Sequence, residues 1–241
     1  MSKPEFIVNS FHRTDGGALP TSLIQRVRSK LMRRGFVLLP SDTCYSLAAL
    51  AVDEDTRRTV NSILQRKDWP ISLAFSSDLA VQQLIEVDNT AALLLEWFTP
   101  GPITLVCKAK ADVSSALLCG AIGSPDRTIG VRIPDSRIER DVAASTKFPL
   151  MSVAVRDPET GETIQDFDRA CQVVSSGIDR FGHVGWGALE GDGFYASHST
   201  VVRVGGSEGA SLLREGDIPF EEILRVANSN NPSGFATEDW T

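Results

Sequence analysis

GFVLLPSDTCYSLAALA, residues 35–51, is the stretch on which the reading of the chain turns. Four apolar residues, Phe36 to Leu39, run into Pro40. Ser41, Asp42, Thr43, Cys44, Tyr45 and Ser46 then follow, each with a hydroxyl, carboxyl or thiol. A short apolar run stopped by a proline reads as a buried strand. From Leu47 onward the chain is apolar again and returns to the core. Ligands of open α/β sheets bind at strand ends, where side chains converge above a rigid backbone. The stretch therefore reads as a strand that carries the chain to the lip of a cavity, with a hydroxyl-rich turn lining it.

The rest of the chain supports an α/β domain. Its 241 residues are enough for a large core, and a 42% hydrophobic, 23% charged composition is that of a globular protein. No apolar run is long enough to span a membrane and the N-terminus lacks a secretory pattern, so a cytoplasmic location and no membrane partner are expected. Cys44, Cys107, Cys119 and Cys171 form no Cys-x-x-Cys pair, and the histidines are His12, His183 and His198 alone. A disulfide framework and a protein-held metal centre are not expected. A net charge of −7 argues against a surface coated for nucleic acid. One basic patch, Arg26, Arg28, Lys30, Arg33 and Arg34 on the helix of residues 21–34, reads first as a solvated helix face.

Strand and helix signals alternate. Helices are expected at 21–34, from the cap Asp53 to about Gln65, at 78–85, from the cap Asp88 to Phe98, from Ser136 to about Thr146, at 166–174 and at 220–226. Ser136 with Glu139 forms a capping box. Strands are expected at 36–39, 71–75, 103–109, 128–134, 149–155, 200–204 and 211–214. The glycine-rich FGHVGWGALEGDGFY, residues 181–195, reads as loop. Residues 1–18 are an arm or edge strand, 19–227 one domain, and 228–241 a mobile tail.

No phosphate-loop, dinucleotide-binding or nucleophile-elbow motif is present. Polar residues instead sit just past strands or at special turns. Ser41, Thr43 and Tyr45 follow the first strand; Arg66 and Lys67 end a helix ahead of Trp69-Pro70. Thr104 follows Pro100-Gly101-Pro102, Arg132 and Ser152 lie in strands, and Arg214-Glu215-Gly216 follows another. Arginines and hydroxyls gathered in this way suit phosphate and carboxylate, which a guanidinium binds with two parallel hydrogen bonds. Cys44 reads as a small buried residue, Asp42 as the cap of its own turn, and His183 and His198 as loop histidines.

The order of the blocks PSDTCYSL, QRKDWPI, PGPITLV, TIGVRIP, PLMSVAV, STVV and LLREG resembles the YrdC family of threonylcarbamoyl-AMP synthases over residues 20–225, closer to its YciO-like branch. The resemblance implies a single domain with a large twisted, mixed sheet flanked by helices and enclosing a concave basic cavity. It implies an enzyme joining L-threonine, bicarbonate (as CO2) and ATP, with Mg2+, into threonylcarbamoyl-adenylate, for transfer to tRNA by separate partners. By that resemblance Thr43, Arg66 and Lys67 would act on the substrates. Ser41, Tyr45, Thr104, Arg132, Ser152, Ser199 and Arg214 would hold threonine and nucleotide.

Three departures from the family pattern stand out. Its Lys-x-Arg reads Leu64-Gln65-Arg66, leaving Lys67 to supply the lysine after a one-residue shift. Its Thr-Ser-Ala-Asn reads Ser152-Val153-Ala154-Val155, which is expected to remove two polar ligand contacts at about 1–3 kcal/mol each. Ser46 replaces a glycine. Two other readings follow: a non-catalytic relative binding structured RNA, or a same-fold enzyme using another carbamoyl acceptor. Convergence of Thr43, Arg66, Arg132 and Arg214 in one pocket would favour a small molecule. The basic helix adjoining the cavity mouth would favour RNA.

Overall fold

Strand parity dictates the architecture. In the computed structural model, which describes residues 2–11, 19–67, 70–114, 117–118, 126–146, 148–182, 184–192, 194–205 and 209–229, the strands join one mixed sheet. They are β1 (Ile7–Phe11), β2 (Phe36–Pro40), β3 (Tyr45–Leu50), β4 (Leu73–Ala74), β5 (Ile103–Lys108), β6 (Thr128–Arg132), β7 (Leu150–Ala154), β8 (Trp186–Gly191), β9 (Thr200–Val204) and β10 (Ala210–Arg214), ordered β1-β8-β2-β3-β7-β4-β6-β5-β9-β10. The helices are α1 (Thr21–Met32), α2 (Glu54–Ile63), α3 (Asp78–Gln82), α4 (Asn89–Phe98), α5 (Arg137–Ser145), α6 (Phe167–Phe181) and α7 (Phe220–Ala227). Trp69, Cys119, His12, His183 and residues 230–241 of the expected tail lie outside the described residues.

Successive strand residues point to opposite faces. Along β5, Ile103, Leu105 and Cys107 enter the larger core cluster, as do Ile129 and Val131 of β6, Met151 and Val153 of β7 and Val202 of β9. Residues of α2, α4, α6 and α7 pack in the same cluster. On the other face, Val37 and Leu39 of β2 and Ala48 and Leu50 of β3 meet α1 and α5 through Val27, Leu31, Ile138 and Val142. The strands from β7 to β10 present alternating polar residues on that second face, and these floor the cavity described below.

Several helix starts follow from side-chain caps. Asp53, Asp88, Ser136 and Asp166 accept the backbone N–H groups of Thr56, Ala91, Glu139 and Arg169. Three elements differ from the sequence expectation. Residues 45–50 form β3, which pairs antiparallel with β2 (Pro40 opposite Tyr45), so the polar stretch is the turn of a hairpin. Residues 186–191, expected to be loop, form β8 between β1 and β2. Gly187 within it is a packing glycine: a Cβ there would strike the Phe6 ring. The helix from Asp166 continues to Phe181 because Val173, Val174, Gly177 and Ile178 stay buried.

Gly177 is the closest contact between α6 and α2, since a Cβ there would collide with the backbone carbonyl of Ile63. Ile63 is the last residue of α2, and the turn beyond it carries Arg66. A Gly177→Ala variant gains about 1 kcal/mol of helix propensity but forces the two helices apart, and a net loss of about 1–3 kcal/mol is expected. Thermal unfolding reads this as a fall in Tm of about 2–4 °C per kcal/mol.

Candidate functional site

The hairpin turn between β2 and β3 is tied down from several directions by Asp42. Its side chain is fully buried and forms an ion pair with Arg132 at the end of β6. Its Oδ2 accepts the backbone N–H of Asp135 at 2.9 Å, next to the start of α5. Its carbonyl oxygen accepts the N–H groups of Tyr195 and Ala196 at 3.1 and 3.3 Å. Asp42 therefore does not cap its own turn, as expected from sequence; it links the turn to β6, α5 and the 195–199 loop.

Beside this pair lies a second buried carboxyl, Glu139 of α5. In the expected capping box Glu139 would reach back to its helix start; instead only the Ser136 half forms, through the N–H of Glu139. The Glu139 side chain turns inward and accepts the Ser41 hydroxyl. Burial pushes its carboxyl up, against an opposing pull from Arg132 and weaker ones from Ser152 and Ser41. One cation among two buried carboxyls accounts for this. Asp42 takes the ion pair and a backbone N–H, so at Glu139 burial outweighs the pull of Arg132 and favours the neutral form. Glu139 Oε1 and Ser152 Oγ are buried without a hydrogen bond of normal geometry, although Ser152 is near enough to act on the carboxyl.

The cavity opens over the polar face of β3, β7, β6, β5 and β9, with a volume of about 730 Å3. Its floor carries Ser46, Ser152, Ala154, Thr104 and Thr128, and its walls carry Thr43, Ser197, His198, Ser199 and Leu213. Among the described residues Arg66, Arg132, Arg156, Arg203 and Arg214 line it, with Asp126 the accompanying carboxylate. Arg132 is paired with Asp42, and Arg203 lies 3.6 Å from Asp126. Arg66, Arg156 and Arg214 have no carboxylate partner among the described residues. Arg66 follows Gln65, whose left-handed backbone (φ 52°) turns the chain at the end of α2. Burial brings its guanidinium down to about 10, with Arg156 and Arg214 pushing the same way. Burial also lowers Arg214, again helped by Arg156 and Arg132.

Arg214 is aimed by Ser199. Its Nη2 donates to the Ser199 carbonyl at 2.7 Å and to Oγ at 2.8 Å, and Thr104 Oγ1 donates to the same Oγ at 3.2 Å. Gly216 makes this possible, because a Cβ there would come within 2.5 Å of the Ser199 carbonyl carbon and the Thr200 nitrogen.

Thr43, Arg66, Thr104, Arg132, Ser152, Ser199 and Arg214, all singled out in the sequence, thus meet at one cavity. Three others do not line it. Ser41 is buried against Glu139. Lys67 is exposed and absent from the lining. Tyr45 faces the core: its hydroxyl donates to the Gly191 carbonyl at 2.7 Å, its ring packs on Phe167 and Phe194, and burial pushes the phenol up to about 12. Cys44 is buried as expected, its thiol raised to about 11 by burial.

The sequence reading missed Arg156 and His198. His198 lies in the wall with Nδ1 buried and unpartnered. Arg156 was legible from parity, since Ser152, Ala154 and Arg156 share a face. By the same parity the side chains of Val153 and Val155 belong to the core. Positions 152, 154 and 156 share the cavity face; Val153 also borders the cavity, whereas Val155 does not, so the expected loss of a polar ligand contact is corrected at Val155 alone. The cations of α1 lie elsewhere: none lines the cavity, Arg26 stacks on Phe6, and Lys30 and Arg34 pair with Glu5 and Asp53.

Known proteins share this fold. The Sua5–YciO–YrdC family model, described as telomere recombination, matches residues 30–216. A Methanocaldococcus jannaschii protein provisionally named a threonylcarbamoyl-AMP synthase is 24% identical over 204 residues, 84% of this chain and 90% of that protein. P. abyssi Sua5, solved in complex with L-threonine, superposes with a TM-score of 0.72 at 22% identity, over 92% of this chain and 60% of its own. E. coli YciO superposes with a TM-score of 0.67 at 23% identity, over 90% and 96%. This chain thus spans less than two thirds of the P. abyssi protein.

Two outcomes test the buried network. Asp42→Asn strands the Arg132 cation and is expected to cost about 3–5 kcal/mol in chemical denaturation. For Glu139, the folded protein holds the proton more tightly than the unfolded chain. Its contribution is therefore complete below the ordinary value of 4.5 and is lost as the pH rises through the raised folded value. Glu139→Gln removes that dependence, so its Tm relative to the parent is expected to climb as the pH is raised from about 4.5 to 9.

Proposed function

The chain belongs to the Sua5/YciO/YrdC family, and on that premise we propose that its cavity is the active site of a threonylcarbamoyl-adenylate synthase. The observation that carries the reading is the convergence of Arg66 and Arg214, which have no carboxylate partner among the described residues, with the hydroxyls of Thr43, Thr104 and Ser199 in one cavity of about 730 Å3. That volume lies in the range of small-molecule and cofactor sites. The L-threonine bound to P. abyssi Sua5 and the name of the M. jannaschii relative support the substrate class.

In this reading the threonine amine attacks CO2 and loses a proton, giving a carbamate. A carbamate oxygen then attacks the α-phosphorus of ATP. The bond from that phosphorus to the bridging oxygen breaks, and pyrophosphate leaves with the electron pair. The step asks for positioning and charge neutralisation, with no covalent nucleophile. Arg66 and Arg214 neutralise charge on the phosphates and the substrate carboxylate. Ser199 and Thr104 hold Arg214 at its angle. Thr43, at the lip, donates to the bound threonine.

The described residues offer no His, Cys, Asp and Glu cluster able to hold a metal, and Asp42 is committed to Arg132. In this reading Mg2+ enters with ATP, as part of the substrate. The α1 cations lie away from the cavity, which favours a small-molecule ligand over structured RNA as the occupant of the site.

Pyrophosphate release from ATP and Mg2+ is expected to require both L-threonine and bicarbonate, and to yield the adenylate seen by mass spectrometry. Arg214→Ala is expected to lower kcat/KM by about 10- to 1,000-fold with the fold retained. Release that ignores threonine would point to another acceptor, and no release with any acceptor would overturn the enzyme reading.

A further inference from the structure

Arg156 is not among the residues that the sequence pattern marked, yet it has a defined place. It extends β7 by parity, on the same face as Ser152 and Ala154, and pairs with Thr163 in an isolated antiparallel bridge. The hairpin between them is closed by the N–H of Asp157 to the Glu162 carbonyl at 2.8 Å and of Ile164 to the Val155 carbonyl at 3.0 Å. The backbone beneath Arg156 is therefore fixed. Its neighbour Asp157 cannot neutralise it, because that carboxylate is held by Arg169 at 2.8 Å. Arg156 gives one N–H, from Nη1, to the Gly161 carbonyl at 2.7 Å. A guanidinium carries five such donors in a planar fork.

The five lining arginines thus fall into two kinds. Arg132 and Arg203 have carboxylate partners, whereas Arg66, Arg156 and Arg214 have none among the described residues. Arg156 is also the charged neighbour with the largest effect on both Arg66 and Arg214. Holding like charges together in a partly buried wall is unfavourable, and a compact polyanion relieves it.

We propose that Arg156 is a further ligand-binding residue, completing with Arg66 and Arg214 a three-arginine seat for a pyrophosphate group. Two linked phosphates offer several charges and acceptor oxygens over a short span, which suits three guanidinium forks better than a single carboxylate does. The assignment rests on the reading that this cavity takes a nucleoside triphosphate. It goes further in naming the residue that grips the leaving group and in implying that free inorganic pyrophosphate binds there on its own.

The test is isothermal titration of the full chain with inorganic pyrophosphate, without nucleotide. The parent protein is expected to bind it. Arg156→Ala should weaken binding about 10- to 100-fold, with an unchanged Tm because the residue is exposed. Arg156→Lys should fall between the two. Arg58→Ala, which removes the same charge from the outer face of α2, should leave affinity unchanged. The proposal is overturned if the parent binds no pyrophosphate, if Arg156→Ala binds within twofold of the parent, or if Arg58→Ala weakens binding as much as Arg156→Ala. Pyrophosphate binding that depends on Arg156 in a protein without threonine-dependent chemistry upholds the seat and overturns the reaction alone.

Discussion

The buried pair of Asp42 and Arg132 is the constraint that the site depends on. Neither group can be removed singly without leaving the other charge uncompensated, a fully buried carboxylate in one case, and the cost of doing so exceeds that of most point changes. Because Asp42 also takes the Asp135 N–H and, through its carbonyl, those of Tyr195 and Ala196, one residue joins three segments distant in sequence. The loop it holds carries Ser197, His198 and Ser199, and Ser199 in turn aims Arg214. The turn opening the cavity and the arginine on its far wall are thus mechanically connected.

Parity does the rest. One face of the β7–β10 half of the sheet is apolar and packs on helices. The other carries hydroxyls and arginines and floors a cavity that the described helices leave open. Charge within that cavity is sorted by partnership. Arg132 and Arg203 are held by carboxylates, while Arg66, Arg156 and Arg214, without a carboxylate partner among the described residues, retain donors beyond those given to the Ser199 and Gly161 oxygens. An anion meeting them replaces repulsion with charge-assisted hydrogen bonds, the stronger kind of polar contact.

Much of this was legible in the sequence where the signal was local. The caps Asp53, Asp88 and Ser136, the strand at 103–108 and the order of the family blocks all transfer directly to the structure. What was not legible depended on long-range packing. The strand at 186–191 reads as loop from its glycines, of which Gly187 makes room for Phe6, far away in the chain. Tyr45 reads as cavity-facing until β3 is recognised, and pairing of β3 with β2 turns it to the core. Glu139 reads as a cap partner but is drawn inward by Ser41. At 152–156 the strand face decides: Ala154 and Arg156 line the cavity with Ser152, Val153 borders it, and Val155 lies in the core.

The central claim is that the open polar face of the sheet is a nucleotide site. Isothermal titration of the full chain with ATP and Mg2+ near neutral pH tests it most directly. The account predicts saturable binding of one ATP at micromolar affinity, weakened by salt as expected of a site built on unpaired guanidinium groups. An absence of binding at millimolar ATP would contradict it.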